Sequence, residues 1–263
     1  MRRTLVRLVP VTLLCLGIAF PVGAQDFQKS YTLAAEGMVK INNTSGNVAV
    51  TGYSGNVVRI LAFKEGRDRD RVTIEDRSGD DEVNVQVRYD DCERDCQASV
   101  RFEVQVPRSL SLHLGRINTA SGNITVQGVT GTVRVSTASG DLTLKDIRGF
   151  VNASTASGEV RIQKVIGAAT ASSASGDVDV TIDRLEGDKD LKFTSASGDV
   201  RVRLPANLDA DVELSSATGA VKTSFPLQVD ARSFGQRARG RLGSGARTLR
   251  VSTASGNVNL TSF

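Results

Sequence analysis

The chain has 263 residues, with 33 Lys and Arg against 29 Asp and Glu, giving a formal charge of +4. Aromatic residues make up 5% and Trp is absent, which excludes a core built on large aromatic side chains. The frequent Val, Thr, Ser and Gly form helices poorly and exclude a helical bundle, while the 40% apolar content excludes a wholly disordered chain.

The first 24 residues have the features of a secretory signal peptide. Three arginines within residues 1–7 precede an apolar stretch over residues 9–20, and small residues at 22–24 supply a cleavage site. We therefore predict cleavage after Ala24 and an exported protein of the bacterial periplasm or cell surface. The segment holds three Arg and no acid, so its removal lowers the formal charge to +1 and leaves nucleic-acid binding unsupported. No later stretch is long and apolar enough to span a membrane.

Residues 25–118 predict a less regular β region. Alternating apolar residues joined by charged turns indicate strands at residues 57–60, 72–74, 83–87 and 102–106. We expect this region to start the repeats that follow and to cap the first of them, whose outer backbone groups would otherwise lack partners.

Two cysteines, Cys92 and Cys96, lie four residues apart within this region. In an oxidising compartment such a pair is most often a disulfide that closes a short loop. A metal site is the alternative, but no second Cys or His pair is near and His113 is the only His of the chain. We predict a structural disulfide, no metal site and no cofactor.

From residue 119 to the end, one phrase recurs: Ser or Thr, then Ala-Ser-Gly, an acidic or amide residue, and an alternating apolar run. Its glycines are Gly122, Gly140, Gly158 and Gly176 at steps of 18 residues, then Gly198, Gly219 and Gly256 at longer steps. An early copy occupies residues 43–50. A period near 20 residues indicates stacked coils.

Superposing the periods aligns the apolar residues in columns. One predicted inward column is Val135, Ala153, Ala171, Phe193, Leu214 and Val251. We therefore predict an all-β fold, a parallel β-solenoid (β-helix) over residues 119–263, right-handed, with coils stacked in chain order at about 4.8 Å. At the Ser-Gly corner, Gly supplies a positive φ, Asp or Asn binds backbone amides, and the Ser and Thr hydroxyls form a ladder. Because the motif recurs in coil after coil, it does not predict a catalytic Ser.

With these motifs the chain resembles the bacterial DUF4097 family, which carries the provisional label of adhesin. The matching residues run from Phe102-Glu103-Val104-Gln105-Val106-Pro107 into the copy at residues 119–126, and on to the closing copy at residues 249–256. The resemblance implies an exported β-helical envelope protein and supplies no catalytic residues.

Residues 224–247 form an Arg- and Gly-rich insertion that interrupts the predicted stack. Its arginines are Arg232, Arg237, Arg239, Arg241 and Arg247. The cluster predicts a basic loop that contacts anionic glycans or lipid headgroups; the alternative is a flexible, solvated excursion.

Two weaker patterns remain. Asp177, Asp179 and Asp183 alternate on one outer surface, where a Ca²⁺ site and plain solvation are both open, since Ca²⁺ needs six to eight oxygen ligands. The chain ends on a strand over residues 258–263 that we expect to expose an edge and to support end-to-end self-association.

The pattern as a whole predicts a non-enzymatic adhesin or scaffold that presents a repetitive surface for multivalent contact with an envelope polysaccharide or another envelope protein. An outward strip illustrates this surface: Arg134, Asn152, Thr170, Lys192 and Glu213. The alternatives are a β-helical enzyme acting on polysaccharides and a sensor or regulator of envelope stress.

Overall fold

A computed structural model of the chain describes residues 25–89, 92, 95–231 and 235–263. The predicted signal peptide lies outside the described residues. Regular structure in these ranges is almost entirely β, with one short 3-10 helix at Arg69–Arg71. No helix among the described residues has the length and apolar character needed to cross a membrane.

The strands are bounded as follows. The first group is β1 (Phe27–Tyr31), β2 (Met38–Asn42), β3 (Val48–Tyr53), β4 (Val58–Glu65), β5 (Thr73–Asp76), β6 (Glu82–Arg88), β7 (Ser99–Pro107), β8 (Ser111–Ser121) and β9 (Ile124–Gln127). The second group is β10 (Thr130–Ser139), β11 (Leu142–Ser157), β12 (Val160–Ser175), β13 (Val178–Arg184), β14 (Leu191–Ser197), β15 (Val200–Leu204), β16 (Ala210–Ser216), β17 (Val221–Thr223), β18 (Gln228–Ala231), β19 (Gln236–Leu242), β20 (Thr248–Ser255) and β21 (Val258–Ser262).

The strands pair in two parallel series that meet at the Ser-Gly corner. The first series runs β6-β2-β8-β10-β11-β12-β14-β20-β16. The second runs β7-β3-β9-β11-β12-β13-β15-β21-β17. The long strands β11 and β12 bend between the series and contribute to both. The predicted all-β parallel solenoid is confirmed.

The core consists of the predicted apolar columns. Val135 pairs in register with Ala153, and Ala153 with Ala171, and all three are buried. Because equivalent residues of neighbouring coils stack, the core is a set of continuous apolar stripes along the solenoid, and its outward residues form parallel polar rows.

The Ser-Gly corner is held by direct backbone packing. A Cβ added to Gly158, whose φ is 146°, would lie 2.0 Å from the carbonyl oxygen of Gly140. Thr155 Oγ1 donates to that same oxygen at 3.1 Å. The equivalent buried hydroxyls donate to glycine carbonyls at 2.7–3.3 Å: Thr119, Thr137, Ser173, Ser195, Ser216 and Thr253. The predicted ladder therefore runs from each hydroxyl to a carbonyl of the adjacent coil.

An Asp or Asn directly after the glycine links the same coils on the outer side. Asp141 Oδ1 accepts the backbone amide of Glu159 at 2.8 Å, and Asp199 Oδ1 accepts that of Asn257 at 2.8 Å. The predicted bond from Asp or Asn to backbone amides is confirmed, and it joins neighbouring coils instead of closing a local turn.

The order of the coils differs from the chain order at the C-terminal end. The β20–β21 coil lies between the β14–β15 coil and the β16–β17 coil, so Leu191 pairs with Leu249, and Leu249 with Val212. The prediction of stacking in chain order is wrong here. The physical reason is that the corner of β20–β21 has the same Ser-Gly geometry as its neighbours and fits between them.

The C-terminal strand is consequently not an edge. Strand β21 pairs with β15 on one side and with β17 on the other. The predicted exposed edge at residues 258–263 is therefore wrong, and end-to-end self-association stays a prediction without that support. The end of the stack is covered by β19, which pairs antiparallel with β16, and by β18.

At the N-terminal end the coils also stack out of chain order. The β2–β3 coil, which holds the early copy of the motif, packs against β8 and β9, and the β6–β7 coil lies outside it. Antiparallel strands β4 and β5 cover that outer coil.

The predicted domain boundary after residue 118 falls inside β8. Cys92 and Cys96 form the predicted disulfide between β6 and β7, with Cα atoms 5.3 Å apart.

We expect Gly158→Ala to destabilise the fold by about 3 kcal/mol or more, because the new Cβ would overlap the Gly140 carbonyl at a backbone conformation that Ala rarely adopts. Gly79→Ala is the control, since a Cβ there meets no atom within 4 Å. Urea unfolding measures both variants, and equal free energies of unfolding would contradict the packing described here.

The inserted coil can be tested with paired cysteines. Thr194→Cys with Ser252→Cys joins in-register neighbours and should form a disulfide on oxidation, because parallel strands are about 4.8 Å apart. Thr194→Cys with Ser215→Cys should not, since Ser252 lies between them. Mass spectrometry under non-reducing conditions detects the disulfide. A disulfide in the second variant but not in the first would show that the coils stack in chain order.

Candidate binding surface

The outward face of the first series, called the polar face below, carries two rows of polar side chains. The first is the charged row: Lys40, Arg116, Arg134, Asn152, Thr170, Lys192, Arg250 and Glu213. The second consists mainly of Ser and Thr and is called the hydroxyl row, although its first two members are Asn: Asn42, Asn118, Ser136, Ser154, Ser172, Thr194, Ser252 and Ser215. The rows exist because outward residues alternate with buried ones along each strand.

The charged row includes the predicted outward strip. The structure adds Arg250 between Lys192 and Glu213, because β20 is inserted there. The sequence contained this residue, but stacking in chain order assigned it to the end of the row.

Positive charge on the row is only partly neutralised. Lys40 pairs with Glu82 at 2.8 Å, and Arg250 pairs with Glu213 at 2.8 Å. Arg116, Arg134 and Lys192 form no ion pair with any described residue. Arg134 lies opposite the bulge that contains Arg116, and like charges on adjacent strands repel each other. The chain therefore keeps two neighbouring cations without an internal counter-charge.

The Arg-rich segment extends the polar face. It forms a hairpin of β18 and β19, and Arg237 and Arg239 follow Ser215 and Glu213 in register. The segment is not the loop that the sequence predicted. The reason is an alternation with the buried residues Ala238 and Leu242, which is the pattern of a strand.

The arginines of β19 are held by acidic residues of β16. Arg239 Nη2 lies 2.7 Å from Glu213 Oε1, and Arg241 binds both carboxylate oxygens of Asp211 at 2.7 and 3.0 Å. Arg237 Nε is 3.9 Å from Glu213. With Arg250 included, four arginines surround two carboxylates, so this end of the face keeps a net positive charge.

The other two predicted arginines, Arg232 and Arg247, are not part of this cluster on β19. Arg247 Nη2 donates to the carbonyl oxygen of Gly187 at 2.8 Å and forms no ion pair with a described residue. Arg232 lies outside the described residues. Polyanion binding by this set stays a prediction, and the structure brings Arg237, Arg239 and Arg241 together on one strand.

A groove of about 520 Å³ lies where the hydroxyl row meets the hairpin. Its floor is formed by small residues of three stacked corners, including Ser215, Ser252 and Ala254, and Arg237 lines one side. Hydroxyl groups and a partly exposed guanidinium can bind hydroxyl-bearing or anionic groups of a polymer.

Asp177, one of the three candidate Ca²⁺ ligands, already has partners within the protein. Asp177 accepts a hydrogen bond from Arg201 Nη1 at 2.8 Å and another from the backbone amide of Asp199 at 2.9 Å. Within the described ranges, no group of three or more His, Cys, Asp or Glu residues is arranged to hold a metal ion. Asp177 is thus part of an ion pair on the outer surface, whereas Asp183 forms none with a described residue.

Residues 65–261 match the model of the family described as Toastrack DUF4097. The match covers more than half of the chain, and the protein belongs to this family, as the sequence resemblance predicted.

Two solved structures resemble the chain. A protein from Clostridium sporogenes, provisionally named a cell adhesion protein, has 11% identity and a TM-score of 0.36, covering 90% of this chain and 99% of that one. A protein from Bacteroides fragilis, provisionally named an adhesin, has 11% identity and a TM-score of 0.44, covering 90% of this chain and 96% of that one. No curated protein matches the sequence.

The ion pairs of β16 predict a loss of stability in acid. Hydrogen bonds from Arg241 and Arg239 hold the pKa values of Asp211 and Glu213 below their ordinary values of 3.8 and 4.5. Because the folded pKa values are depressed, the stabilisation is complete above about pH 5 and is lost as pH falls through the folded values.

Urea unfolding across this range measures the effect. Glu213→Gln should lower stability near neutral pH and flatten the dependence on pH. Asp70→Asn is the control, since its side chain is 94% exposed, and it should keep the native slope. If the free energy of unfolding of Glu213→Gln depended on pH as steeply as that of the native protein, the ion pairs of β16 would not be the cause of the acid sensitivity.

Proposed function

We propose that this protein is an exported, non-enzymatic envelope protein, an adhesin or scaffold, whose polar face binds acidic envelope polymers through repeated weak contacts. The observation that carries the proposal is the neighbouring pair Arg116 and Arg134, with Lys192 further along the charged row, none of which forms an ion pair with a described residue. Repulsion between Arg116 and Arg134 is relieved when an external anion binds across them.

The spacing of the row suits an extended polymer. Arg116 and Lys192 are four strand spacings apart, or about 19 Å. A chain that crosses the strands therefore meets successive cations and hydroxyls in one direction. Single contacts between exposed ions are weak, but several contacts made by one polymer add to a useful affinity.

Two features support export and a non-enzymatic role. The disulfide between Cys92 and Cys96 is typical of an oxidising compartment and agrees with the predicted signal peptide. The repeated corner hydroxyls are buried and donate to glycine carbonyls, as Thr155 does to Gly140, so they serve the backbone and are not paired with a general base.

A matched pair of triple variants tests the polar face. Arg116→Ser, Arg134→Ser and Lys192→Ser together should weaken binding to alginate by about tenfold, from three exposed ion pairs of about 0.5 kcal/mol each. The effect should shrink at high salt, and neutral dextran should bind neither protein. Biolayer interferometry on immobilised polymer measures the affinities.

The control triple lies on the outward side of the second series: Lys145→Ser, Arg203→Ser and Lys222→Ser. It removes the same charge, and these three cations also form no ion pair with a described residue. It should bind alginate like the native protein. Equal losses in both triples would show that net charge, and not the polar face, governs binding.

A further inference from the structure

The second corner of each coil, opposite the Ser-Gly corner, contains an unusual column of residues. Gly128, Asp146 and Lys164 occupy equivalent positions in three successive coils, with φ of 69°, 55° and 54°. This left-handed conformation costs little for Gly and is strained for residues with a side chain. The chain uses Gly in the first coil and accepts strain in the next two, which retains a carboxylate and an ammonium group there.

These residues line a groove of about 360 Å³ with three cations, Arg108, Arg148 and Lys164. Carboxylates of Asp146 and Asp183 also line it. In the described part of the chain, none of the five forms an ion pair. The groove therefore holds charges of both signs that do not neutralise each other by direct contact.

Arg108 is fixed in place at this groove. Its Nε donates to the carbonyl oxygen of Gly52 at 2.7 Å. A Cβ on Gly128 would lie 3.2 Å from guanidinium nitrogens of Arg108, so Gly128 leaves room for the guanidinium to lie against the corner. The two terminal nitrogens of Arg108 make no hydrogen bond to a described residue and remain able to bind a ligand.

A second groove of about 320 Å³ adjoins the first and shares Arg148 and Ile166 with it. Phe150 lines it, and Lys189 Nζ lies 5.1 Å from the centre of that ring. One wall is bare backbone, because Gly149 packs so closely on Gly131 that a Cβ would lie 2.1 Å from its carbonyl oxygen. The first groove is thus charged, and the second exposes mainly apolar surface, although Glu186, Asp188 and Lys189 also line it.

We propose that this second-corner groove binds an acidic sugar unit. Arg108, Arg148 and Lys164 would bind its carboxylate, and the carboxylates of Asp146 and Asp183 would accept hydrogen bonds from its hydroxyl groups. The apolar face of the sugar ring would lie against the Phe150 compartment. A simple anion is disfavoured by the two carboxylates, and a neutral sugar leaves the three cations unused.

This proposal uses side chains outside the polar face and does not rest on the proposed function. Titration calorimetry on the purified protein tests it with tetragalacturonate and tetramannuronate. Maltotetraose is the neutral control and sulfate the simple anion. We expect binding of at least one acidic tetrasaccharide, with little binding of maltotetraose or sulfate.

Lys164→Gly separates binding from folding. It removes one cation and relieves the strained conformation, so the protein should be at least as stable as the native one while binding falls about tenfold. Arg148→Ser should lower the affinity by a similar factor. Lys222→Ser, on the outward side of the second series, should bind like the native protein.

The results that overturn the proposal are distinct from those that overturn the polar-face proposal. Absence of binding by both acidic tetrasaccharides, equal binding of sulfate or maltotetraose, or native affinity in Lys164→Gly and Arg148→Ser each rules it out. The triple Arg116→Ser, Arg134→Ser and Lys192→Ser should keep native affinity for tetragalacturonate at physiological salt, where single contacts of a short ligand with the exposed polar face are weak and screened. Loss of binding in that triple alone would assign the ligand to the polar face.

Discussion

The contact on which the structure depends is the close approach of glycine backbones at the Ser-Gly corner. Gly158 lies so near the Gly140 carbonyl that no side chain fits between them, and Thr155 donates a hydrogen bond to the same oxygen. This contact sets the separation and register of the coils. Once the register is set, apolar residues stack in the core and polar residues align on the polar face, so the rows of charge and hydroxyl groups follow from the corner.

The repeat made the coil, its inward columns and its corner predictable from the sequence. Val135, Ala153 and Ala171 stack as expected, because an 18-residue period and two-residue alternation leave few other ways to bury them. The order of the last coils was not predictable in this way. Any copy of the corner can pack on any other, so similarity between repeats fixes the geometry of a contact without fixing which copies meet.

The candidate sites, too, were only partly predictable from the sequence. Alternation of Arg237 and Arg239 with buried Ala238 was readable as a strand, but the density of arginine and glycine suggested a loop. The second-corner groove was harder to find, because its residues come from three coils and from Arg108, which precedes the repeats. Only the three-dimensional register places Asp146 and Lys164 beside Arg148, in the conformation that Gly128 adopts one coil earlier.

The inserted β20–β21 coil has a consequence for biogenesis. Residues 248–262 complete both series between strands that were made before them, so β14 and β16 must remain unjoined until these residues arrive. The hairpin of β18 and β19 already protects the far side of β16 during this interval. This part of the stack can therefore close only after residues 248–262 have been made, and a chain that stops before them would carry an unfilled gap that quality-control proteases can attack.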